Sequence, residues 1–241
     1  MKLSTVIRFI LNFFDFFQQK KVIKFFKKNL DKKILILDVG SHHGETISLF
    51  SKNFELFEFH CFEASPINFK FLVKNIEKLN FKNKSKSNLV NVGIGSRKGN
   101  TFINQIKESS SSTINELNLE SNYLKKKMKI LNINKSEKFY KKIPISIIKL
   151  DDYIESKAIK EIDILKIDTE GYELNVVKGL QKYHKIIKYI YFEHHYDDMI
   201  KKNYTFSNIN LILKSFGFKK VFKTKMFFRK SFEYIYANKS I

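Results

Sequence analysis

Short unbroken apolar runs alternate with amphipathic stretches along this chain, the pattern of an α/β protein whose strands are buried on both faces. The runs fall at residues 34–39, 57–62, 89–94, 145–150, 162–167 and 189–192. Helical spacing occupies 45–51, 67–79, 174–180 and 206–216, and 219–222 with 227–236 reads as a closing hairpin. This order predicts one open sheet, mostly parallel with an antiparallel final strand, and helices on both faces. From about 103 to 143 the pattern weakens into an insertion longer than a compact domain's usual connection. Its hydroxyl-rich stretch, 109–120, reads as a substrate-facing lid and the Lys- and Asn-rich remainder as a solvated helix.

Residues 1–30 form a separate segment ahead of the domain at 31–241. Thr5, Arg8, Asn12, Asp15 and Gln19 draw one polar stripe down a helix that is otherwise Val, Ile, Leu and Phe. Arg8 and Asp15 interrupt any run of the ~20 apolar residues that a membrane span needs, and no small-residue cleavage site marks a signal peptide. The segment reads either as a helix capping the domain or as an interfacial helix. In the second reading its phenylalanines enter a membrane and Lys20, Lys21, Lys24, Lys27 and Lys28 meet anionic lipid, a peripheral contact through residues 1–28.

The strand tips carry the candidate chemistry. Asp38-Val-Gly40-Ser41-His-His-Gly44 follows the first run, and neither glycine has a Cβ to keep a ligand or a helix away. Asp38 stands where a dinucleotide fingerprint has its first glycine. A carboxylate there repels a pyrophosphate and suits an ammonium group, which favours S-adenosylmethionine over NAD. Glu63, followed by Ala64, ends the second run 25 residues after Asp38, close to the ~20-residue spacing at which an acid meets ribose hydroxyls. The other reading of Glu63 is a surface residue capping the next helix. Gly93 and Ile94, with Gly95 beyond them, form a turn able to approach an adenine ring.

Asp168 and Glu170 end the run 162–167 and, on an extended backbone, project to one side as a base or metal site. Alternatively they cap the helix at 174–180. Glu193-His194-His195 ends the run 189–192, while Asp151 and Asp152 open a helix and read as structural.

Composition adds little to this picture. The 241 residues carry a formal charge of +21, consistent with a polyanionic partner. The lysines are spread along the whole chain, however, which favours a general compositional bias. Cys61 stands alone, so there is no internal disulfide, as in a reducing cytoplasm, and it reads as core packing.

Several segments together resemble the FkbM family of methyltransferases. They are Asp38-Val-Gly-Ser-His-His-Gly, Phe62-Glu63-Ala-Ser-Pro66, Asn75, Ser111-Ser-Thr113, Leu150-Asp151, Lys166-Ile-Asp168-Thr-Glu170-Gly171-Tyr-Glu173, Gly179 and Glu193. They stand in the family's order across about 34–220, with His42 and His43 departing from the usual loop. The resemblance implies a class I methyltransferase fold, S-adenosylmethionine as cofactor, and O-methylation of a hydroxyl on a sugar, glycan or related small molecule. Asp38, Gly40, Ser41, Gly44, Glu63, Ala64, Gly93 and Ile94 are then the cofactor residues. Asp168, Glu170, Glu193 and His194 are the catalytic candidates, with His194 as the base near neutral pH. No metal is required, and His42 and His43 are expected to close the turn over the cofactor. The charge keeps an RNA methyltransferase as the alternative, with a non-catalytic membrane-associated module as a third reading.

Overall fold

The computed structural model describes residues 3–79, 81, 86–106, 111–130, 139–227 and 229–239, with the side chains of 3–15 and 130 excluded. Ser109, Ser110, residues 131–138 and the side chains of Thr5, Arg8, Asn12 and Asp15 therefore lie outside the described residues. The elements run α1 (Leu3–Asn29), β1 (Lys33–Val39), α2 (Glu45–Ser51), β2 (Glu55–Phe62), α3 (Pro66–Glu77), β3 (Lys86–Val90), β4 (Gly93–Ile94) and β5 (Gly99–Ile106). There follow α4 (Asn122–Ile130), β6 (Tyr140–Ile148), α5 (Leu150–Ser156), β7 (Ile162–Ile167), α6 (Glu173–Lys178), β8 (Ile187–His195), α7 (Phe206–Ser215), β9 (Phe218–Lys225) and β10 (Ser231–Asn238).

Among the described residues the main sheet has the order β3-β2-β1-β7-β8-β10-β9. Its strands are parallel from β3 to β8, and β10 is antiparallel to both β8 and β9. This is the class I methyltransferase arrangement, with the final strand inserted between β8 and β9 instead of at the edge. Alternation along the strands divides the core. Leu35, Leu37, Val39, Leu165, Ile167 and Phe192 pack with α5, α6 and α7 on one face. Ile34, Ile36, Phe59, Ile164 and Tyr191 pack with α1, α2 and α3 on the other.

Two predicted boundaries are corrected. The run 89–94 is split: β3 ends at Val90, and β4 leaves the main sheet to pair with β6. The insertion predicted from about 103 is entered by β5, which pairs with β6 along its whole length in a second sheet, β4-β6-β5. Both strands carry many Asn, Gln and Lys residues, and only one end of each is buried. Their apolar pattern is correspondingly faint.

The segment after Ser111 is docked across the carboxyl ends of β7 and β8. Leu117 bridges to Ile200, and Ile106, Leu117, Leu124, Met199 and Ile200 form a small core of their own. The C-terminal half of α1 is a cap on the sheet, with Val22, Ile23 and Phe26 buried against it. No helix among the described residues is long and apolar enough to cross a membrane.

Candidate active site

The loop after β1 is held by its neighbours on both sides. Gly40 has φ +83°, and a Cβ there would lie 1.8 Å from the main-chain oxygen of Asp168. Its role is thus close approach of the β1 and β7 tips, beyond any approach to a ligand. Gly44, at φ +91°, packs against Leu72 and Ile76 of α3, so its close contact is with that helix and not with the strand. The Ser41 hydroxyl donates to the Asp38 carbonyl at 2.7 Å and is spent on the turn.

Glu63 is the loop's clasp. Its Oε2 accepts from the His42 backbone N–H at 2.8 Å and its Oε1 from the Ser65 N–H at 2.8 Å. It is 6% exposed, which removes the reading as a surface residue. Burial raises its pKa to about 7. Asn91 donates to the main-chain oxygens of Glu63 and Ala64, tying the β3 turn to the same place. Gly93 lies beside Ala64. The Ile94 side chain is buried in the core, so only its main chain is available toward a ligand.

His42 and His43 stack at 3.7 Å, and Glu45 accepts from the His43 N–H and lies 3.0 Å from His42 Nδ1. The three offer ligand atoms within 4.8 Å of one another. The same contacts close the turn.

Asp38 is fully buried, and both of its carboxylate oxygens lack a hydrogen-bond partner. Burial lifts its pKa to about 7, with Lys166 opposing. The Lys166 ammonium is the shared cation here. It reaches Asp168 Oδ2 at 3.2 Å and lies 4.6 Å above the Tyr191 ring. Burial alone would lower its pKa, but Asp168, Glu233, Glu193 and Asp38 outweigh that and raise it. Glu233, which accepts from the Tyr191 hydroxyl, is raised by burial to about 7.

The chain leaves extended geometry after β7. Glu170 has φ +48°, in the left-handed region that side-chain-bearing residues uncommonly adopt. The turn is held by Thr113, whose hydroxyl donates to the Glu170 carbonyl at 2.7 Å, and by Asn115, which donates to the Gly171 carbonyl at 2.5 Å. Asp168 and Glu170 are therefore not an extended pair. Asp168 turns to Lys166, whereas Glu170 Oε2 faces His195 Nε2 at 3.5 Å. Nor does either residue cap α6: Glu173 accepts from the Gly171 N–H and the Thr169 hydroxyl itself.

At the β8 tip His195, and not His194, faces this carboxylate cluster. Its Nε2 also lies 3.5 Å from Glu193 Oε1, and its Nδ1 lies 3.5 Å from Asp197 Oδ2. Burial alone would lower the pKa of His195, but Glu170, Glu193 and Asp197 outweigh that and raise it to about 10. Burial raises Glu170 to about 7 against the pull of His195, while His195 and Arg229 hold Glu193 below its usual value despite burial. His194 projects to the opposite face among Tyr196, Tyr204 and Phe206, where burial pushes its pKa down to about 3. The signal in the sequence was parity: positions 193 and 195 of a strand share a face, and 194 does not. Lys166 and Asp168 obey the same rule. Glu233 and Asp197 had no local signal.

Residues 38–220 match the methyltransferase FkbM domain. The chain belongs to the FkbM methyltransferase family. As a member it is a methyltransferase whose cofactor is S-adenosylmethionine. None of the curated proteins matches it. Among solved structures it is similar to magnesium protoporphyrin IX methyltransferase (ChlM) from Synechocystis PCC 6803 with bound SAM, at TM-score 0.52 and 8% identity, over 92% of this chain and 78% of that one. A protein of the NADB-Rossmann superfamily from Streptococcus agalactiae gives a TM-score of 0.50 at 13% identity, over 92% of this chain and 68% of that one. These likenesses establish the fold alone.

The residues present fit the cofactor of an FkbM methyltransferase. Asp38 Oδ1 and Oδ2 are buried acceptors without hydrogen-bond donors at the end of β1, whereas Glu170 Oε2 and Glu193 Oε1 already face the His195 imidazole. A buried carboxylate such as that of Asp38 calls for a partner, and an ammonium-bearing, positively charged ligand supplies one. Lys166 and Glu193 fall within the matched FkbM region, whereas α1 and Glu233 lie outside it.

Proposed function

We propose that the chain transfers a methyl group from S-adenosylmethionine to a hydroxyl oxygen of a sugar, glycan or related small molecule. The observation that carries this reading is Glu170, a buried carboxylate at the β7 tip whose Oε2 makes no hydrogen bond, its one contact there being the 3.5 Å ion pair with His195. An acceptor hydroxyl meets that need directly, and a carboxylate with a pKa of about 7 is suited to take its proton at neutral pH.

Asp38 receives the cofactor's amino group, which relieves a desolvated and unpartnered carboxylate. Glu63 uses one acceptor site on each oxygen for the loop, and a carboxylate offers about four, leaving capacity for ribose hydroxyls. Bound S-adenosylmethionine supplies a methyl group activated by attachment to a sulfonium. Glu170 accepts the acceptor's hydroxyl proton as that oxygen gains the methyl group. His195, held as imidazolium by Glu193 and Asp197, orients Glu170 and balances the buried negative charge. Asp168, anchored by Lys166, forms the polar floor beside it.

A screen with methyl-labelled S-adenosylmethionine tests this reading. Glycans and small polyols should take up label as alkali-stable ethers, and the Glu170→Gln variant should lose about 100-fold or more in kcat while still binding S-adenosylhomocysteine. Label appearing only in RNA would overturn the proposal.

A further inference from the structure

The two faces of α1 are built for different surroundings. Gln18, Val22, Ile23 and Phe26 are buried on the domain, and the Gln18 amide is bonded to Thr224 and to the Lys225 carbonyl. Phe16, Lys20, Lys24 and Lys27 recur at helical spacing along an exposed edge of about 16 Å. That edge borders an open groove of about 1070 Å³, whose other side is formed by Leu49 of α2, the following Lys52 and Asn53, and Asn75 and Leu79 in and beyond α3. The apolar part of the lining is Phe16, Ile23, Leu49 and Leu79, and its cations are Lys20, Lys24, Lys27 and Lys52. Among the described residues none of these four lysines makes an ion pair, and Glu45 is the one carboxylate in the lining. Lys20 Nζ lies 4.3 Å over the half-exposed Phe16 ring, so cation and aromatic form one amphipathic edge.

We propose that this edge and groove dock the protein on an anionic membrane leaflet, with Lys20, Lys24, Lys27 and Lys52 taking lipid phosphates and Phe16 entering the interface. An apolar lining edged by lysines complements a phospholipid, which offers apolar chains beneath a negative head. A nucleic-acid groove would instead present a run of rings for stacking successive bases, whereas the rings among these lining residues are Phe16 and His43. His43, Gly44 and Glu45 also line the groove, which sets the docking face beside the cofactor loop. The proposal does not depend on the identity of the acceptor.

Co-sedimentation of the full chain with vesicles provides the test, using phosphatidylcholine alone and phosphatidylcholine mixed with phosphatidylglycerol. Wild type should bind the anionic vesicles only, and more weakly as salt rises. The variant Lys20→Gln/Lys24→Gln/Lys27→Gln/Lys52→Gln should lose affinity on the order of 100-fold. A control carrying the same charge change at Lys141, Lys142, Lys214 and Lys219, all exposed, should lose only a few-fold. Phe16→Ser should remove the salt-resistant part of binding. Matching urea midpoints would show that the variants fold. Equal losses in the two quadruple variants, no binding by wild type, or groove-dependent capture of single-stranded RNA without vesicle binding would each overturn the proposal.

Discussion

The main-chain oxygen of Asp168 occupies the space that a side chain on Gly40 would need, 1.8 Å from an ideal Cβ. The cofactor loop and the β7 tip are thus fitted to each other through one missing methyl group. Gly40→Ala combines a left-handed residue, costing about 1–2 kcal/mol, with overpacking against backbone, costing about 1–3 kcal/mol. Urea unfolding should show a loss of about 2–5 kcal/mol together with loss of cofactor binding. An unchanged midpoint would mean that the two tips are not in contact.

The neighbouring histidines should behave oppositely. His195→Gln removes the cation shared by Glu170, Glu193 and Asp197, and breaking such a buried arrangement costs about 3–5 kcal/mol. Turnover should fall with it. His194→Phe keeps an aromatic ring among Tyr196, Tyr204 and Phe206 and should cost less than about 1.5 kcal/mol, with activity retained. Chemical denaturation and initial rates on both variants check this contrast.

Stability should decline with rising pH. Asp38, Glu63, Glu170 and Glu233 all have folded-state pKa values raised to about 7. Between about pH 4 and 7 the folded chain therefore holds protons on these four carboxylates that the unfolded chain has released. They outnumber the protons that His60 and His194, held down to about 4 and about 3, withhold from the folded chain below about pH 6.5, so the unfolding free energy falls across that window. His195 acts in the same direction. Its raised pKa gives a contribution fully present below its unfolded value and lost as pH rises through about 10. Denaturation midpoints measured across this range provide the check, and a midpoint that rises from pH 5 to pH 7 would contradict the assignment.

Phe26 makes α1 part of the domain. Its ring is buried against Phe50, Tyr189 and Tyr191, so Phe26→Ala should cost about 3–5 kcal/mol. A change under about 1 kcal/mol, read by urea unfolding, would show that the helix is not seated there.

The central strands and their acids were legible because buried parallel strands leave unbroken apolar runs, and Asp38, Glu63 and Asp168 end three of them. Glu193, His194 and His195 read as one cluster in the sequence, whereas strand alternation turns Glu193 and His195 to one face and His194 to the other. The second sheet was faint because β5 and β6 are largely exposed and polar. The clasp of Glu63 on His42 and the bonds from Thr113 and Asn115 to the β7 turn join residues distant in sequence. No local pattern encodes such contacts.

Titration calorimetry with S-adenosylhomocysteine on wild type and Asp38→Ala, at pH 6 and pH 8, tests the central claim most directly. Wild type should bind one equivalent, more tightly at pH 8, where Asp38 is ionised. Asp38→Ala should lose both the binding and its pH dependence. Undiminished binding by Asp38→Ala, or wild-type affinity that weakens from pH 6 to pH 8, would contradict a cofactor site built on this carboxylate.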